Sequence, residues 1–299
     1  MTEATVRAQS TAEDTDIAPF ARVCAVTEAP SDLADIGRYR GVIEDIWTIG
    51  PKLHGGTMVA ASAAAATRWL RRTVPDARDM FPISASTDFL GAPDPGEVEF
   101  AVHTRKTGRQ ICLVEADLVQ HGRALVHTAF TFGRLDDTPP LHAADVVADM
   151  PVEPPADALG YGAEAPMGDI VHVAHGATMA MDRDWARFVA GEQGEPRLRL
   201  WIRPRPGDER DREVAVFFAL MAGDISPPVT MNLGRFGWAP TVQLTTYLRR
   251  RPAPGWLRVI STAQQIGERM FDEDQVVIDA TGAVVVQSRQ LALLPQSSW

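Results

Sequence analysis

The hydrophobic and polar positions follow two different periods in the first half of the chain. The segment Gly56–Arg72 is apolar at most positions, and small side chains dominate it, which predicts a helix buried on nearly every side. Glu97–Thr104 alternates apolar and polar residues, as a half-buried strand does. Ile111–Gln120 and Ala124–Phe132 are further strand-like runs that meet at a short turn. A helix followed by long antiparallel strands predicts the α+β class.

The second half of the chain repeats this order of elements. A strand-like run at Leu198–Arg205 precedes an interrupted apolar segment at Glu213–Leu233. Three β runs then follow, at Trp256–Gln265, Gln275–Ala280 and Ala283–Leu294.

The two halves align with each other when one is shifted by 159 residues. At this offset Pro95-Gly96 falls on Pro254-Gly255, Gly108 on Gly267, Thr87 on Thr246 and His54 on Glu213. Such self-similarity indicates two copies of one structural unit. The predicted organisation is a flexible N-terminal segment at 1–32 with a docking stretch at 17–26, a first repeat at 33–134, a proline-rich connector at 135–166 and a second repeat at 167–299.

The alanine-rich helix narrows the fold further. Its small side chains allow a sheet to approach closely, and a strongly curved antiparallel sheet around one such helix is the hotdog arrangement. Two copies in tandem predict an α+β double hotdog, in which the two units share one continuous sheet.

Composition and charge exclude several classes of protein. There are 29 Lys and Arg residues against 39 Asp and Glu, a net charge of -10, which argues against a nucleic-acid partner. The apolar run Met58–Ala66 is too short to span a membrane. The N-terminal residues lack the basic and apolar regions of a secretory signal. Cys24 and Cys112 supply neither a disulfide framework nor a metal cluster. We therefore expect a cytoplasmic protein with no metal and no membrane association.

Several short motifs recur in an order and spacing that resemble the acyl-CoA thioesterase II (TesB-like) family. They are His54-Gly55-Gly56, Trp201-Ile202-Arg203, Gly223-Asp224, Pro240-Thr241, Arg250-Arg251-Pro252 and Ser288-Arg289-Gln290. The Pro227-Pro228 pair is similar to a divergent, mainly actinobacterial branch. The resemblance implies a double hotdog that hydrolyses acyl-CoA to free acid and CoA without a metal, a cofactor or a covalent intermediate. It implies Asp224, Thr241 and Gln290 as the catalytic residues.

The chemistry of these three residues suits that reaction. Asp224 can accept the proton of a water nucleophile. Thr241 and Gln290 can fix the position of the water, since each offers donors and acceptors. The backbone N–H groups of Gly55 and Gly56, at the start of the first helix, are candidate donors to the oxyanion, and His54 is a candidate substrate contact.

Structural alternatives stay open for several of these residues. Asp224 and His54 could simply cap a helix or form a turn. The spacing to Arg251-Pro252 puts the family's Thr nearer Val242, so Thr241 requires a slip of one residue, and Thr246 is the alternative hydroxyl.

The arginine run Arg249-Arg250-Arg251 is a candidate contact for CoA phosphates, or else a solvated loop at the end of a strand. The alternative function is a non-catalytic acyl-CoA or hydrophobic-ligand binding protein on the same fold. A hotdog hydratase is the least favoured of the three functions. Such enzymes usually use a His together with an Asp or Glu, and no such pair is evident on a helix here. We expect a homo-oligomer, a dimer or larger.

Overall fold

The computed structural model describes residues 18–136, 138–147, 149–161 and 168–295. The α-helices within them are α1 (Pro19–Cys24), α2 (Gly55–Thr73), α3 (Val173–Gly176) and α4 (Arg212–Ala222). The strands of the first half are β1 (Thr27–Ala29), β2 (Ile36–Ile43), β3 (Thr48–Ile49), β4 (Lys52–Leu53), β5 (Phe81–Phe89), β6 (Gly96–Lys106), β7 (Cys112–Gln120) and β8 (Arg123–Gly133). Those of the second half are β9 (Leu159–Gly160), β10 (Ala177–Met181), β11 (Arg197–Pro204), β12 (Thr241–Leu248), β13 (Leu257–Thr262), β14 (Met270–Ile278) and β15 (Val284–Leu293).

Thirteen of these strands form one antiparallel sheet, in the order β1-β2-β6-β7-β8-β5-β12-β15-β14-β13-β11-β10-β9. The first half contributes β2-β6-β7-β8-β5, and the second contributes β11-β13-β14-β15-β12 in the mirrored sequence. The halves therefore join edge to edge through β5 and β12, which removes the two edges that would otherwise be exposed. This is the predicted α+β double hotdog.

Helix α2 is the core of the first half because its surface is apolar on nearly every side. Its residues Ala60, Ala61, Ala63, Ala65 and Ala66 are completely buried. The absence of bulky side chains lets β5, β6, β7 and β8 pack on one side of α2 while α4 packs on another. None of the described helices combines the length and the apolar character that a bilayer-spanning helix requires.

The N-terminal segment predicted over 1–32 contains helix α1, which packs against the core. The stretch predicted to dock does so, since Phe20 is completely buried and makes edge-on ring contacts with Trp47 and Phe218. The buried carboxylate of Asp208 accepts hydrogen bonds from the backbone N–H groups of Phe20 (3.1 Å) and Ala21 (2.7 Å). These contacts hold α1 against the core, and the extent of the flexible segment predicted over 1–32 stays a prediction. Residues 1–17 lie outside the described part of the chain.

The proline-rich segment predicted as a connector packs against the second half of the sheet. The indole N–H of Trp201 donates to the carbonyl of Pro151 (2.9 Å), and Arg258 donates to the carbonyl of Met150 (2.8 Å). The short strand β9 pairs with β10 at the sheet edge. The prolines prevent this segment from forming a helix or a central strand. Its backbone carbonyl groups therefore stay free to accept hydrogen bonds from side chains such as those of Trp201 and Arg258. Positions 137, 148 and 162–166 of this segment lie outside the described residues.

Candidate active site

A mostly apolar cavity of about 1190 Å³ opens between the two halves of the molecule. Its walls come from the start of α2, the loop after β5, strands β9 and β10, and the loop before β12. The apolar lining includes Leu53, Met58, Phe89, Val171, Met179, Phe188, Ile225, Met231, Phe236 and Trp238. The predicted residues His54, Gly55, Asp224, Thr241 and Gln290 all line this one cavity. A few polar groups in an apolar pocket are typical of a ligand site.

The backbone around Asp224 is held by groups from two other elements. Helix α4 ends just before it, and Pro227-Pro228 prevents the helix from resuming at once. The Ser288 hydroxyl on β15 donates to the carbonyl of Gly223 (2.5 Å). The Nε2 atom of His54 lies 2.8 Å from the carbonyl oxygen of Asp224. These bonds fix the carboxylate relative to both repeats.

The carboxylate of Asp224 lies against the first turn of α2. A Cβ atom at Gly55 would overlap Asp224 Oδ2, and one at Gly56 would overlap the carbonyl oxygen of Met221. Glycine is required at both positions because only its missing side chain permits this approach. The sequence motif Gly55-Gly56 thus marks the contact between α2 and the end of α4.

Burial governs the electrostatics of Asp224. Its side chain is only 8 % exposed. Burial raises the pKa of the carboxyl, while nearby His54 and the Gly56 backbone N–H partly offset that rise by favouring the ionised form. A carboxylate with a raised pKa is a stronger base than an exposed one, as proton abstraction from water requires.

His54 caps α2 and bridges it to Asp224. Its Nδ1 accepts the backbone N–H of Thr57, so the ring proton is on Nε2 and is donated to the Asp224 carbonyl. Both ring nitrogens are therefore engaged inside the protein. The ring therefore agrees with the capping alternative, and because His54 also lines the cavity, its contact with a substrate stays a prediction.

The two predicted oxyanion donors are not equivalent. The Gly56 N–H is directed at the Asp224 carboxylate and lowers its pKa. Gly55, in the same helical turn, lines the cavity, and the N–H groups of a first helical turn have no intrahelical acceptor. Of the two predicted donors, Gly55 is therefore the one that lines the cavity, and its role as an oxyanion donor stays a prediction.

Thr241 and Gln290 form a direct hydrogen bond across β12 and β15. The Thr241 hydroxyl donates to Gln290 Oε1 at 2.5 Å. The register of the two strands shifts between Thr241 and Gln243, so Val242 is the extra residue of a β-bulge. A bulge of one residue matches the slip that the spacing from Arg251-Pro252 requires if Thr241 is the family's Thr. With Oε1 occupied, the Gln290 Nε2 group retains its two donors for the cavity.

The alternative hydroxyl lies elsewhere. Thr246 is also buried on β12, but it does not line the cavity, and its hydroxyl has no hydrogen-bond partner among the described residues.

The arginine run is at the opposite end of β12 from Thr241. At about 3.3 Å per residue, Arg249 lies roughly 26 Å from Thr241 along the strand. Arg250 donates to the carbonyl of Thr138, and Arg251 stacks over the ring of Phe81. The structure therefore does not bring the run to the cavity, and its phosphate contact stays a prediction. Arg205 is the cationic side chain among the described residues that line the cavity.

One buried carboxyl group beside the site was missed by the sequence analysis. Glu273 on β14 is 0 % exposed and lies directly opposite Gln290 in the β14–β15 pairing. Its strand was predicted to begin only at Gln275, so Glu273 fell outside the predicted strand. Alternation from Phe271 to Val277 would have placed Glu273 on the buried face.

The repeat-related end of α4 is built differently. Glu213, the counterpart of His54 in the aligned repeats, forms an ion pair with Arg71 of α2. The side chain of Asp211 caps the helix there. Ionic side chains thus take the place of the glycine pair. Among the described residues, no group of three or more His, Cys, Asp or Glu side chains is arranged to hold a metal ion.

Comparison with known proteins agrees with this architecture. The family model of the acyl-CoA thioesterase N-terminal domain matches residues 43–133, and that of the C-terminal domain matches residues 145–294. An uncharacterized protein of Mycobacterium tuberculosis is 40% identical over 275 residues, which cover 86% of this chain and 91% of the relative.

Solved structures share the fold over nearly the whole chain. A candidate thioesterase II of Thermobifida fusca superposes with a TM-score of 0.75 at 25% identity and covers 93% of this chain and 98% of that one. A hot dog protein of unknown function from Alicyclobacillus acidocaldarius gives 0.71 at 19% identity, with 93% and 98% covered. The acyl-CoA thioesterase II TesB2 of Mycobacterium marinum gives 0.65 at 17% identity, with 92% and 97% covered. Together with the two matched domains, this places the chain in the acyl-CoA thioesterase family, among its TesB-like double-hotdog members.

Proposed function

We propose that the protein hydrolyses acyl-CoA thioesters to a free acid and CoA, using a water molecule held by Asp224, Thr241 and Gln290. The observation that carries this proposal is the convergence of a buried carboxylate and a hydrogen-bonded Thr241–Gln290 pair in one apolar cavity. Apolar walls suit an acyl group, and the polar residues mark where its thioester carbonyl would lie.

Asp224 is the general base of the proposed mechanism. It takes a proton from the water as the water oxygen bonds to the thioester carbon, and the carbonyl becomes an oxyanion. When the oxyanion collapses, the C–S bond breaks and the sulfur leaves with the proton that Asp224 had accepted. The carboxylate is then restored, and no covalent enzyme intermediate is needed.

The other residues orient the water and stabilise charge. The Thr241 hydroxyl fixes the Gln290 amide, whose Nε2 donors hold the water in line with the carbonyl carbon. The Gly55 N–H, at the positive end of α2, is the donor best placed for the oxyanion. Arg205, on the cavity lining, can contact the phosphates of CoA.

The test is the release of free thiol from a panel of acyl-CoAs that differ in acyl length and branching. We expect turnover by the wild type and a loss of about 10²–10⁴-fold in kcat for Asp224→Asn, the range for a general base. Asp208→Asn is the matched control, because Asp208 is also a buried carboxylate, and its contacts are with α1.

Two outcomes would contradict the proposal. Full activity of Asp224→Asn would eliminate the mechanism. Tight acyl-CoA binding without turnover, even at high enzyme concentration, would favour the non-catalytic binding protein instead.

A further inference from the structure

Glu273 is a second buried carboxyl group that the mechanism above does not use. The groups that face it are Gln275 on its own strand, Gln290 on β15, and Ser226 and Val229 in the segment after Asp224. The charged group that acts on it is Asp224. No Lys or Arg is among these neighbours, so the negative charge of an ionised Glu273 would have no cation to balance it.

The contacts of Glu273 fix the segment that follows Asp224. Glu273 Oε2 accepts the backbone N–H of Val229 at 3.1 Å. Val229 opens a short 3-10 helix (Val229–Leu233) whose N-cap, Pro228, provides no side-chain cap. Glu273 thus supplies from β14 the acceptor that the N-cap residue usually provides. Bound in this way, the segment from Asp224 to Val229 is tied to the strand beside Gln290.

The two carboxyl groups have different surroundings. Asp224 has the His54 ring and the Gly56 N–H near it, which favour its ionised form. Burial, with the charge of Asp224 as a smaller contribution, raises the pKa of Glu273 to about 8. When two buried acids share a region, the better stabilised one ionises and the other keeps its proton.

The amide of Gln275 is compatible with that proton. Gln275 lies 3.2 Å from Glu273 Oε1 through Nε2, while its Oε1 is buried without a hydrogen-bond partner among the described residues. The oxygen and nitrogen of an amide are exchangeable in such an assignment. Exchanged, Gln275 Oε1 would accept the proton of a neutral Glu273.

We propose that Glu273 is a positioning residue that, as a neutral carboxylic acid, holds the Asp224–Val229 segment and leaves Asp224 as the single ionised carboxylate of the site. This inference rests on the proposed function. Ionisation of Glu273 at alkaline pH places a second negative charge near the thioester, where it opposes formation of the oxyanion.

The first test is the pH profile of kcat for the wild type, Glu273→Gln and Glu273→Leu. The wild type is expected to lose activity above about pH 8, where Glu273 ionises. Glu273→Gln keeps a neutral acceptor for Val229, so it should retain kcat within about threefold at pH 7 and lose the alkaline decline. Glu273→Leu removes the acceptor, and its kcat should fall about tenfold with little change in KM. Asp274→Asn, on the opposite face of the same strand, is the matched control and should follow the wild-type profile.

Two further readouts are independent of turnover. Infrared spectroscopy should detect the C=O band of a protonated carboxyl that titrates near pH 8 in the wild type and is absent from Glu273→Gln. Hydrogen exchange at the Val229 amide should accelerate in Glu273→Leu but not in Glu273→Gln.

The outcomes separate this inference from the proposed function. Loss of activity in Glu273→Gln at pH 7, or an alkaline decline that persists in it, would overturn the neutral acid. So would absence of the infrared band, and unchanged exchange at Val229 would overturn the positioning role. If the wild type hydrolyses no thioester, the proposed function fails, while the band and the exchange rates still decide the state and contacts of Glu273.

Discussion

Ser86 and Thr245 face each other across the junction of the two repeats, with their hydroxyl oxygens 3.5 Å apart. They are separated by 159 residues, the offset at which the two halves of the sequence align. In an antiparallel pair related by a two-fold axis, equivalent residues become partners only at the axis itself. The approximate two-fold axis of the double hotdog therefore passes between Ser86 and Thr245.

The site departs from this symmetry. The first repeat contributes the start of α2, with Gly55 and His54, and the second contributes Asp224, Thr241 and Gln290. Each half supplies what the other lacks, so the cavity requires both repeats. At the symmetry-related end, the Arg71–Glu213 ion pair replaces the glycine pair.

A double-mutant cycle tests the Thr241–Gln290 pair. Thr241→Val and Gln290→Leu should each lower kcat about ten- to a hundredfold, because each removes one member of the hydrogen bond that orients the water. The double variant should be little worse than the worse single variant, and Thr241→Ser should retain most of the activity. Additive losses in the cycle would mean that the two residues act independently.

The contact between Gly55 and Asp224 predicts an effect of one added methyl group. Gly55→Ala should lower kcat at least tenfold, because its Cβ would overlap Asp224 Oδ2 and displace the carboxylate. Gly41→Ala on β2 is the control, since a Cβ there would lie 3.4 Å from its nearest neighbours, an ordinary contact. Steady-state kinetics and thermal unfolding of both variants separate displacement from loss of fold. Normal kcat in Gly55→Ala would show that the carboxylate does not need this position.

The phosphate contact can be assigned by comparing two arginines. Arg205→Ala should raise the KM for acyl-CoA about tenfold, the effect of losing one charge-assisted hydrogen bond. Arg250→Ala, from the run remote from the cavity, should leave KM unchanged. A short acyl thioester without the nucleotide serves as the control substrate, and both variants should hydrolyse it like the wild type. A raised KM in Arg250→Ala with an unchanged KM in Arg205→Ala would mean that the Arg249–Arg251 run binds the phosphates instead.

The buried acid Glu273 also predicts how stability depends on pH. Its pKa rises from an ordinary value of 4.5 to about 8 on folding, so the folded state binds this proton more tightly than the unfolded chain. The resulting stabilisation is complete below about pH 4.5 and is lost as pH rises to about 8. Relative to Glu273→Gln, the wild type should therefore lose unfolding free energy across this window, with a slope of up to about 1.4 kcal/mol per pH unit. The unfolding free energies of the wild type and Glu273→Gln can be measured by denaturant unfolding at each pH. If the two proteins show the same dependence on pH, Glu273 is not protonated in the folded state.

The sequence by itself determined the architecture and identified five of the residues that line the candidate cavity. The alanine-rich helix and the alternating strands specify a hotdog unit, because such a helix must be covered on all sides. The repeat with an offset of 159 residues specifies two units. In the structure, Ser86 pairs with Thr245, which lies at that same offset. The central strand β5 was not predicted, because its Ser and Thr residues make the alternation of hydrophobic and polar positions weak.

Only the tertiary structure decided how the site residues meet. The bulge at Val242 that turns Thr241 toward Gln290 depends on the pairing of β12 with β15, which no local pattern encodes. The engaged ring of His54 and the close approach of Asp224 to Gly55 follow from the packing of α2 against the end of α4. The position of Glu273 beside Asp224 could not be predicted, because it also depends on tertiary packing. Whether an acidic residue in a strand faces water or a second carboxylate is set by the elements that cover it, and these come from distant parts of the chain.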